Sequence, residues 1–292
     1  MFRCKARKKR IARRIFTYVE RCGLQRNTAD ERFSIAPHSF DCFTLICYKT
    51  ARREIFMSLL GVISNKLVME RSDLLKNSAA RLIKNKFGHA SVLITDKIVW
   101  ILRHGNDPNN YILPHLINHR ANLQALKNLG VTEIVGINST GSLKKALCPG
   151  MIVIPDDFIT LTTTPTIHQN RAVHITPSLN EKVRQKLIKA ALGNKIKVVK
   201  KGTYWQTQGP RLETKAEIKM MSNFADLVGM TMANEAVIAL ELDLPYASVC
   251  SIDNFGNGLL KKPLSMKEIT AGTRKNADLM IQLLQSYLKL YS

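Results

Sequence analysis

Residues 202–218 read GTYWQTQGPRLETKAEI, and residues 226–258 read DLVGMTMANEAVIALELDLPYASVCSIDNFGNG. The first piece holds a short apolar run, a Gly-Pro turn and a segment of polar-apolar period. Leu227-Val228-Gly229-Met230 is a brief strand that runs into Thr231. Ala236, Val237, Ala239, Leu240 and Leu242 then fall on one side of a periodic segment, as in a packed helix. Tyr246 to Ile252 is a buried-type strand, and Asp253-Asn254 stands where that strand is expected to stop. Ligands collect at the carboxyl ends of strands in a parallel α/β sheet. One sheet can therefore bring together three polar clusters: Glu213, Met230-Thr231 and Asp253-Asn254. Each cluster alone is an ordinary set of loop polars; the three in this order point to a site.

Outward from that stretch, strand and helix signals alternate. Leu59 to Ile63 is a strand, and Ser91 to Thr95 followed by Lys97 to Leu102 is a pair of strands. Leu116 to Leu129 is helical, Thr132 to Asn138 is a strand closing on Gly141, and Met151 to Ile154 is another strand. Ser178-Leu-Asn-Glu181 and Ser265-Met-Lys-Glu268 have the capping-box spacing that opens a helix. The alternation predicts one α/β domain over 57–292, with a mixed, largely parallel sheet flanked by helices.

The chain has 292 residues, 45% hydrophobic and 23% charged, enough for one good-sized core. Its formal net charge of +22 attracts polyanions or acidic substrates, so nucleic acid has to be considered. The charge is uneven, however. Residues 1–56 carry 14 Lys/Arg against 5 Asp/Glu, and the remaining excess is scattered over faces such as Lys182, Arg184, Lys186 and Lys189, which read as solvated. Arg3 to Arg14 fits a transit peptide or a nucleic-acid arm, while the apolar patch Phe40 to Tyr48 is too far in for a secretory signal. The preferred reading makes 1–56 a basic extension upstream of a true start at Met57, with a disordered basic tail as the alternative. The cysteines at 4, 22, 42, 47, 148 and 250 form no C-x-x-C pair. They read as reduced thiols of a cytoplasmic protein without a zinc site. No apolar run approaches membrane-spanning length, so no membrane is expected.

TQGPRLET, VGMT followed by NEA, and the Tyr-Ala-Ser strand ending in Asn254 resemble the trimeric purine nucleoside phosphorylase and methylthioadenosine phosphorylase family. The branch it resembles most is bacterial methylthioinosine phosphorylase, and the resemblance extends from about Met57 to the C-terminus. It implies phosphorolysis of a nucleoside, a homotrimer with sites near subunit interfaces, and no cofactor beyond orthophosphate as co-substrate. Arg103-His104-Gly105 matches the family's phosphate motif after a strand. By the same resemblance Asn138 and Ser139 line the phosphate and the sugar, Thr231 gives phosphate a hydroxyl, and Met230 packs under the ribose. The chemistry agrees, because an oxyanion needs N–H groups, hydroxyls and guanidinium.

Several positions depart from the family. Gly61-Val62-Ile63-Ser64-Asn65-Lys66 stands where a glycine-rich loop is usual, with β-branched residues where close backbone approach wants glycine. Ser64 is expected to replace that loop's hydroxyl. His119 stands in place of a tyrosine, Asn234 in place of a proline, and two extra residues sit in the segment Asn106 to Asn110.

In the base pocket, Glu213 (beside Leu212) and Asn254 fall where the 6-oxopurine members carry a carboxylate and an amide. A 6-oxopurine offers N1–H to a carboxylate, and its O6 and N7 accept from an amide. A buried carboxylate facing an unprotonated N1 would be unpaired, so these residues choose hypoxanthine or guanine over adenine. The expectation is a 6-oxopurine nucleoside phosphorylase acting on inosine, guanosine or 5′-methylthioinosine. Two alternatives stay open: an impaired purine- or nucleoside-binding protein, suggested by the altered first loop, and a nucleic-acid-binding protein using the basic N-terminus.

Overall fold

β5 (Val131–Ser142) is the strand that the sheet branches from. In the computed structural model, which describes residues 59–69, 73–261 and 263–291, β5 takes β1 (Leu59–Ser64) on one side and β11 (Tyr246–Phe255) on the other, both parallel. Its last residues also pair antiparallel with β10 (Leu227–Gly229), Val228 lying opposite Gly141. β10 leads on through β9 (Thr203–Gln206) to β7 (Asp157–Thr160), all parallel. Beyond β1, β4 (Ile98–Leu102) is parallel, and β3 (Gly88–Ile94) and β2 (Ala79–Asn85) follow antiparallel. β6 (Ile152–Val153) joins β11 antiparallel, and β8 (Val198–Val199) joins β6 parallel. The sheet is mixed and largely parallel, flanked by helices.

The strand alternation shows that both faces of the sheet are covered. Leu60, Val62, Ile98 and Trp100 enter one buried cluster, while Ile63, Val99 and Ile101 enter another. Helices α2 (Glu181–Gly193) and α5 (Met266–Tyr291) cover the first face with Val183, Leu187, Met280, Leu284 and Tyr287. Helices α1 (His119–Asn128) and α4 (Met232–Glu241) cover the second with Leu123, Leu126, Met232 and Ile238. Each large side chain buried in this way contributes about 1.5–3 kcal/mol. α3 (Lys215–Met221) is short and starts at a full capping box formed by Thr214 and Glu217.

The structure moves several boundaries. α1 begins at His119, because Pro114–Leu116 forms a separate 3-10 turn and the Asn118 side chain caps the helix by accepting from Ala121 N. The cap of α2 is Asn180, accepting from Val183 N at 3.1 Å, and not Ser178 two residues earlier. β11 does not stop at Ile252; it continues past a bulge to Phe255, so Asp253 and Asn254 lie within the strand. The β2 strand was not legible because it is exposed along most of its length and lacks apolar alternation. Ser265 does open α5, accepting from Glu268 N at 3.3 Å. Among the described residues no helix is long and apolar enough to cross a membrane. The basic run Arg3–Arg14, the patch Phe40–Tyr48 and the boundary after residue 56 lie outside the described residues.

Candidate active site

Four parallel strands deliver polar residues to one edge of the sheet. β1 ends at Ser64, β4 runs into Arg103-His104, β5 passes through Asn138 and Ser139, and β11 carries Asp253 and Asn254. β10 runs against β5, so its carboxyl end brings Thr231 to the middle of that strand. Thr231 Oγ1 donates to Asn138 Oδ1 at 2.9 Å, and Asn138 Nδ2 donates to Ser248 Oγ at 2.8 Å. Ser139 Oγ lies 3.3 Å from Thr273 Oγ1 on α5, which in turn donates to Asp253 at 2.6 Å. Asp253 also accepts from Asn276 Nδ2 at 2.7 Å, and burial raises its carboxyl above the usual range against these bonds. Ser64, Arg103, His104, Asn138, Ser139 and Thr231 thus lie at the ends or along the strands of this one sheet.

Two of these residues are not presented as expected. Arg103 is not an exposed strand-end guanidinium; it is 3% exposed. Its Nε and Nη2 bond the two oxygens of Glu235 at 2.6 and 3.1 Å, Nη1 donates to Ile137 O at 2.8 Å, and Nη2 also donates to Ile63 O at 3.0 Å. Burial opposes its charge, but the Glu235 carboxylate outweighs that and holds the guanidinium protonated. Glu235 accepts further from Tyr246 OH at 2.8 Å. Ser64 is completely buried, donates to Asn65 O at 3.0 Å and accepts from Trp100 Nε1 at 2.8 Å, so its hydroxyl is enclosed and does not replace an open loop hydroxyl.

Both histidines beside Arg103 are neutral. The half-buried His104 puts Nδ1 2.8 Å from Ile112 O and stacks on Tyr111 with centroids 4.6 Å apart. Burial, then the Arg103 charge, lowers its pKa to about 4. His119, the first residue of α1, is 4% exposed. Its pKa falls to about 3 through burial, Arg103 and His104, in that order.

The base end is built differently. Glu213 Oε1 accepts from Thr207 Oγ1 at 2.7 Å, and its backbone carbonyl accepts from Asn257 Nδ2 at 3.0 Å. Glu213 lines a cavity of about 290 Å³ with Trp205, Thr207, Met220 and Met221. Leu212 is half-buried beside it. Gly209, at φ +66°, is required here, since a Cβ would lie 2.5 Å from Met230 Sδ. Asn254 lines a second, smaller cavity of about 110 Å³ with Asp253, Phe255 and Leu260. Its Nδ2 donates to Phe255 O at 2.9 Å. Glu213 and Asn254 therefore line separate cavities.

Sequence reasoning gave no role to Glu235, Gln206 or Thr207. Gln206 Oε1 accepts from the N–H groups of Ala233 and Asn234 at 2.7 and 3.3 Å, and Tyr204 OH accepts from those of Thr231 and Met232 at 3.3 and 3.5 Å. The α4 N-terminus is thereby capped from β9. Glu235 and Thr207 both sit inside the motifs quoted above, so position alone was their signal.

Comparison with known proteins agrees with this fold. The model of the "Phosphorylase superfamily" matches residues 70–289. A "Probable 6-oxopurine nucleoside phosphorylase" of Archaeoglobus fulgidus is 36% identical over 236 residues, covering 79% of this chain and 96% of its own. A "Probable S-methyl-5'-thioinosine phosphorylase" of Methanocaldococcus jannaschii is also 36% identical, covering 79% of this chain and 92% of its own. The methylthioadenosine phosphorylase of Schistosoma mansoni, in complex with adenine, superimposes with a TM-score of 0.73 at 25% identity, covering 80% and 91%.

Proposed function

Because the chain belongs to the phosphorylase superfamily, we propose that it cleaves 6-oxopurine nucleosides with orthophosphate in purine salvage. The products are the free base and ribose 1-phosphate, or its 5-methylthio form when the substrate is 5′-methylthioinosine. The relatives differ over the base: two carry oxopurine names, and the Schistosoma mansoni structure holds adenine. The observation that carries our choice is Glu213. Thr207 bonds its Oε1, and Oε2 receives no hydrogen bond from the described residues, leaving an acceptor for a purine N1–H.

In this reading phosphate attacks the anomeric carbon, the bond to purine N9 breaks, and the electron pair leaves on the base. Asn254 is the catalytic residue, donating to N7 or O6 as that charge develops. One of its two amide protons already bonds Phe255 O, so it has one to give. Phosphate lies among Ser64, Arg103, His104, Asn138, Ser139 and Thr231. Ser64 contributes the turn, and Arg103 has a single N–H left. Met230 and Leu212 pack against the nucleoside. No metal or organic cofactor is invoked.

We read the molecule as a cytoplasmic homotrimer with sites close to its interfaces. Tyr111, Ile112, Leu113, Leu116 and Leu161 are large, apolar and exposed, as residues awaiting a second copy would be. The enclosed Ser64 and the internally bonded Arg103 favour one other reading, a nucleoside-binding protein without turnover. Incubating the purified protein with inosine, guanosine, adenosine or methylthioinosine, with and without phosphate, and measuring free base separates them. Phosphate-dependent release from the oxopurine nucleosides is expected. No phosphate-dependent release from any of them rejects the enzyme, and equal release from adenosine rejects the base assignment.

A further inference from the structure

His119 Nε2 is enclosed in protein and has no hydrogen-bond partner, one of only two such buried side-chain atoms among the described residues. A polar atom in that position loses its water and gains nothing in return unless a ligand supplies the partner. The other such atom, Asn234 Oδ1, belongs to the residue next to Glu235. Asn234 precedes Glu235 on α4, and His119 feels the charge of Arg103, the partner of Glu235.

The placement of the imidazole argues for an anion as the missing partner. His119 is the first residue of α1, where backbone N–H groups face outward and favour negative charge. Asn118 caps the turn and His119 N donates to Ile117 O at 3.0 Å, so the backbone there is fixed. The ring is close enough to Arg103 and His104 to feel both electrostatically. Donors at the anion end are few. Four of the N–H groups of Arg103 are engaged, the Ser64 hydroxyl points to Asn65 O, and the Thr231 hydroxyl points to Asn138. A neutral imidazole protonated at Nε2 adds a donor without adding a second buried charge beside Arg103.

We propose that His119 binds phosphate through Nε2–H, acting as a specificity residue for the oxyanion. The inference rests on the phosphorylase reading, and its test separates the two. With the full chain, His119→Phe raises the KM for phosphate about tenfold, the effect of losing a hydrogen bond to a charged group, while the KM for the nucleoside stays within about twofold. His119→Gln, which keeps an N–H donor on its terminal amide, recovers most of that loss. A His119→Phe enzyme whose phosphate KM stays within about twofold of wild type overturns the proposal, as does an equal rise in both KM values. Should His119→Phe not fold, ¹⁵N-histidine spectra of the wild-type protein decide, with the signal assigned through His119→Gln. The Nε2 signal of His119 moves on titration with inorganic phosphate and not with chloride at equal ionic strength. A signal that stays put under phosphate overturns the proposal. A protein that releases no base yet shows this titration keeps the anion contact and rejects the enzymatic reading.

Discussion

Arg103 has four of its N–H groups taken by Glu235, Ile137 and Ile63, whereas the Glu213 carboxylate receives one bond, from Thr207 Oγ1, and keeps an oxygen in reserve. The contrast extends to the neighbours. Ser64, Asn138 and Thr231 bond to other parts of the protein, while Trp205, Met220 and Met221 line a cavity with space beside Glu213. The anion end is therefore part of the core, and changes there show first in stability. The base end is a lined opening, and changes there show first in the choice of substrate.

The largest expected effect follows from the Arg103–Glu235 pair. Arg103→Ala leaves the Glu235 carboxylate buried at 1% exposure without its counter-charge, and removes the hydrogen bonds that Arg103 gives to the Ile137 and Ile63 carbonyls. Removing one partner of such a pair costs about 3–5 kcal/mol. Denaturant unfolding of Arg103→Ala and of Glu235→Ala should show losses of this size in both. A loss below about 1 kcal/mol in Arg103→Ala would show that the arginine is a ligand-binding group first, and that the anion end is no more part of the core than the base end.

Acid comes next. His104 and His119 have pKa values lowered from 6.5 to about 4 and about 3, so the folded state holds them neutral. Their stabilisation is complete above pH 6.5 and is lost as pH falls toward those folded values, because only the unfolded chain takes up the protons. Between pH 7 and pH 5.5 the two together should cost about 2 kcal/mol. The check is the stability–pH slope near pH 5.5, which should approach two protons taken up on unfolding. A flat profile there would place both imidazoles in water.

These effects explain which parts of the molecule were legible from sequence. Residues 202–258 could be read because their signals are local: the Gly-Pro turn, the periodicity of α4, and the apolar run of β11. The burial of Arg103 could not, because its carboxylate is 132 residues away and nothing near Arg103 in sequence announces it. Ser64 looked like a loop hydroxyl until Trp100, on the neighbouring strand, was seen to donate to it. The Asn180 cap was missed for a different reason. Ser178 and Asn180 are both good caps two residues apart, and only the tertiary setting selects between them. The bulge in β11 likewise depends on its pairing with β5.

At the base end, Glu213→Gln should leave stability nearly unchanged, since an amide oxygen still accepts from Thr207. It replaces an acceptor for N1–H with a group that can turn its NH₂ toward the purine. The ratio of kcat/KM for inosine over adenosine should fall about ten- to a hundredfold, the effect of one lost hydrogen bond and one mismatched donor. An unchanged ratio would mean that Glu213 does not meet the base, and the oxopurine assignment would lose its support.

The smallest effect belongs to Thr207, which acts on the base only through Glu213. Its backbone N donates to Gly229 O at 2.9 Å, so the strand end keeps its place whatever the side chain is. Thr207→Val keeps the shape and removes the hydroxyl that holds Glu213 Oε1 at 2.7 Å. The carboxylate then loses its orientation while keeping its charge and position. A neutral hydrogen bond of this kind contributes about 0.5–1.5 kcal/mol, so the KM for the oxopurine nucleoside should rise about two- to tenfold. The KM for phosphate should stay as it is, because the Thr207 hydroxyl bonds Glu213 and Gly229 and, among the described residues, none of the phosphate group. If the phosphate KM rises in parallel, the two ends are coupled through β10 and cannot be treated as independent regions. If neither KM moves, Glu213 is oriented by packing against Trp205 and Met221, and the hydroxyl is incidental.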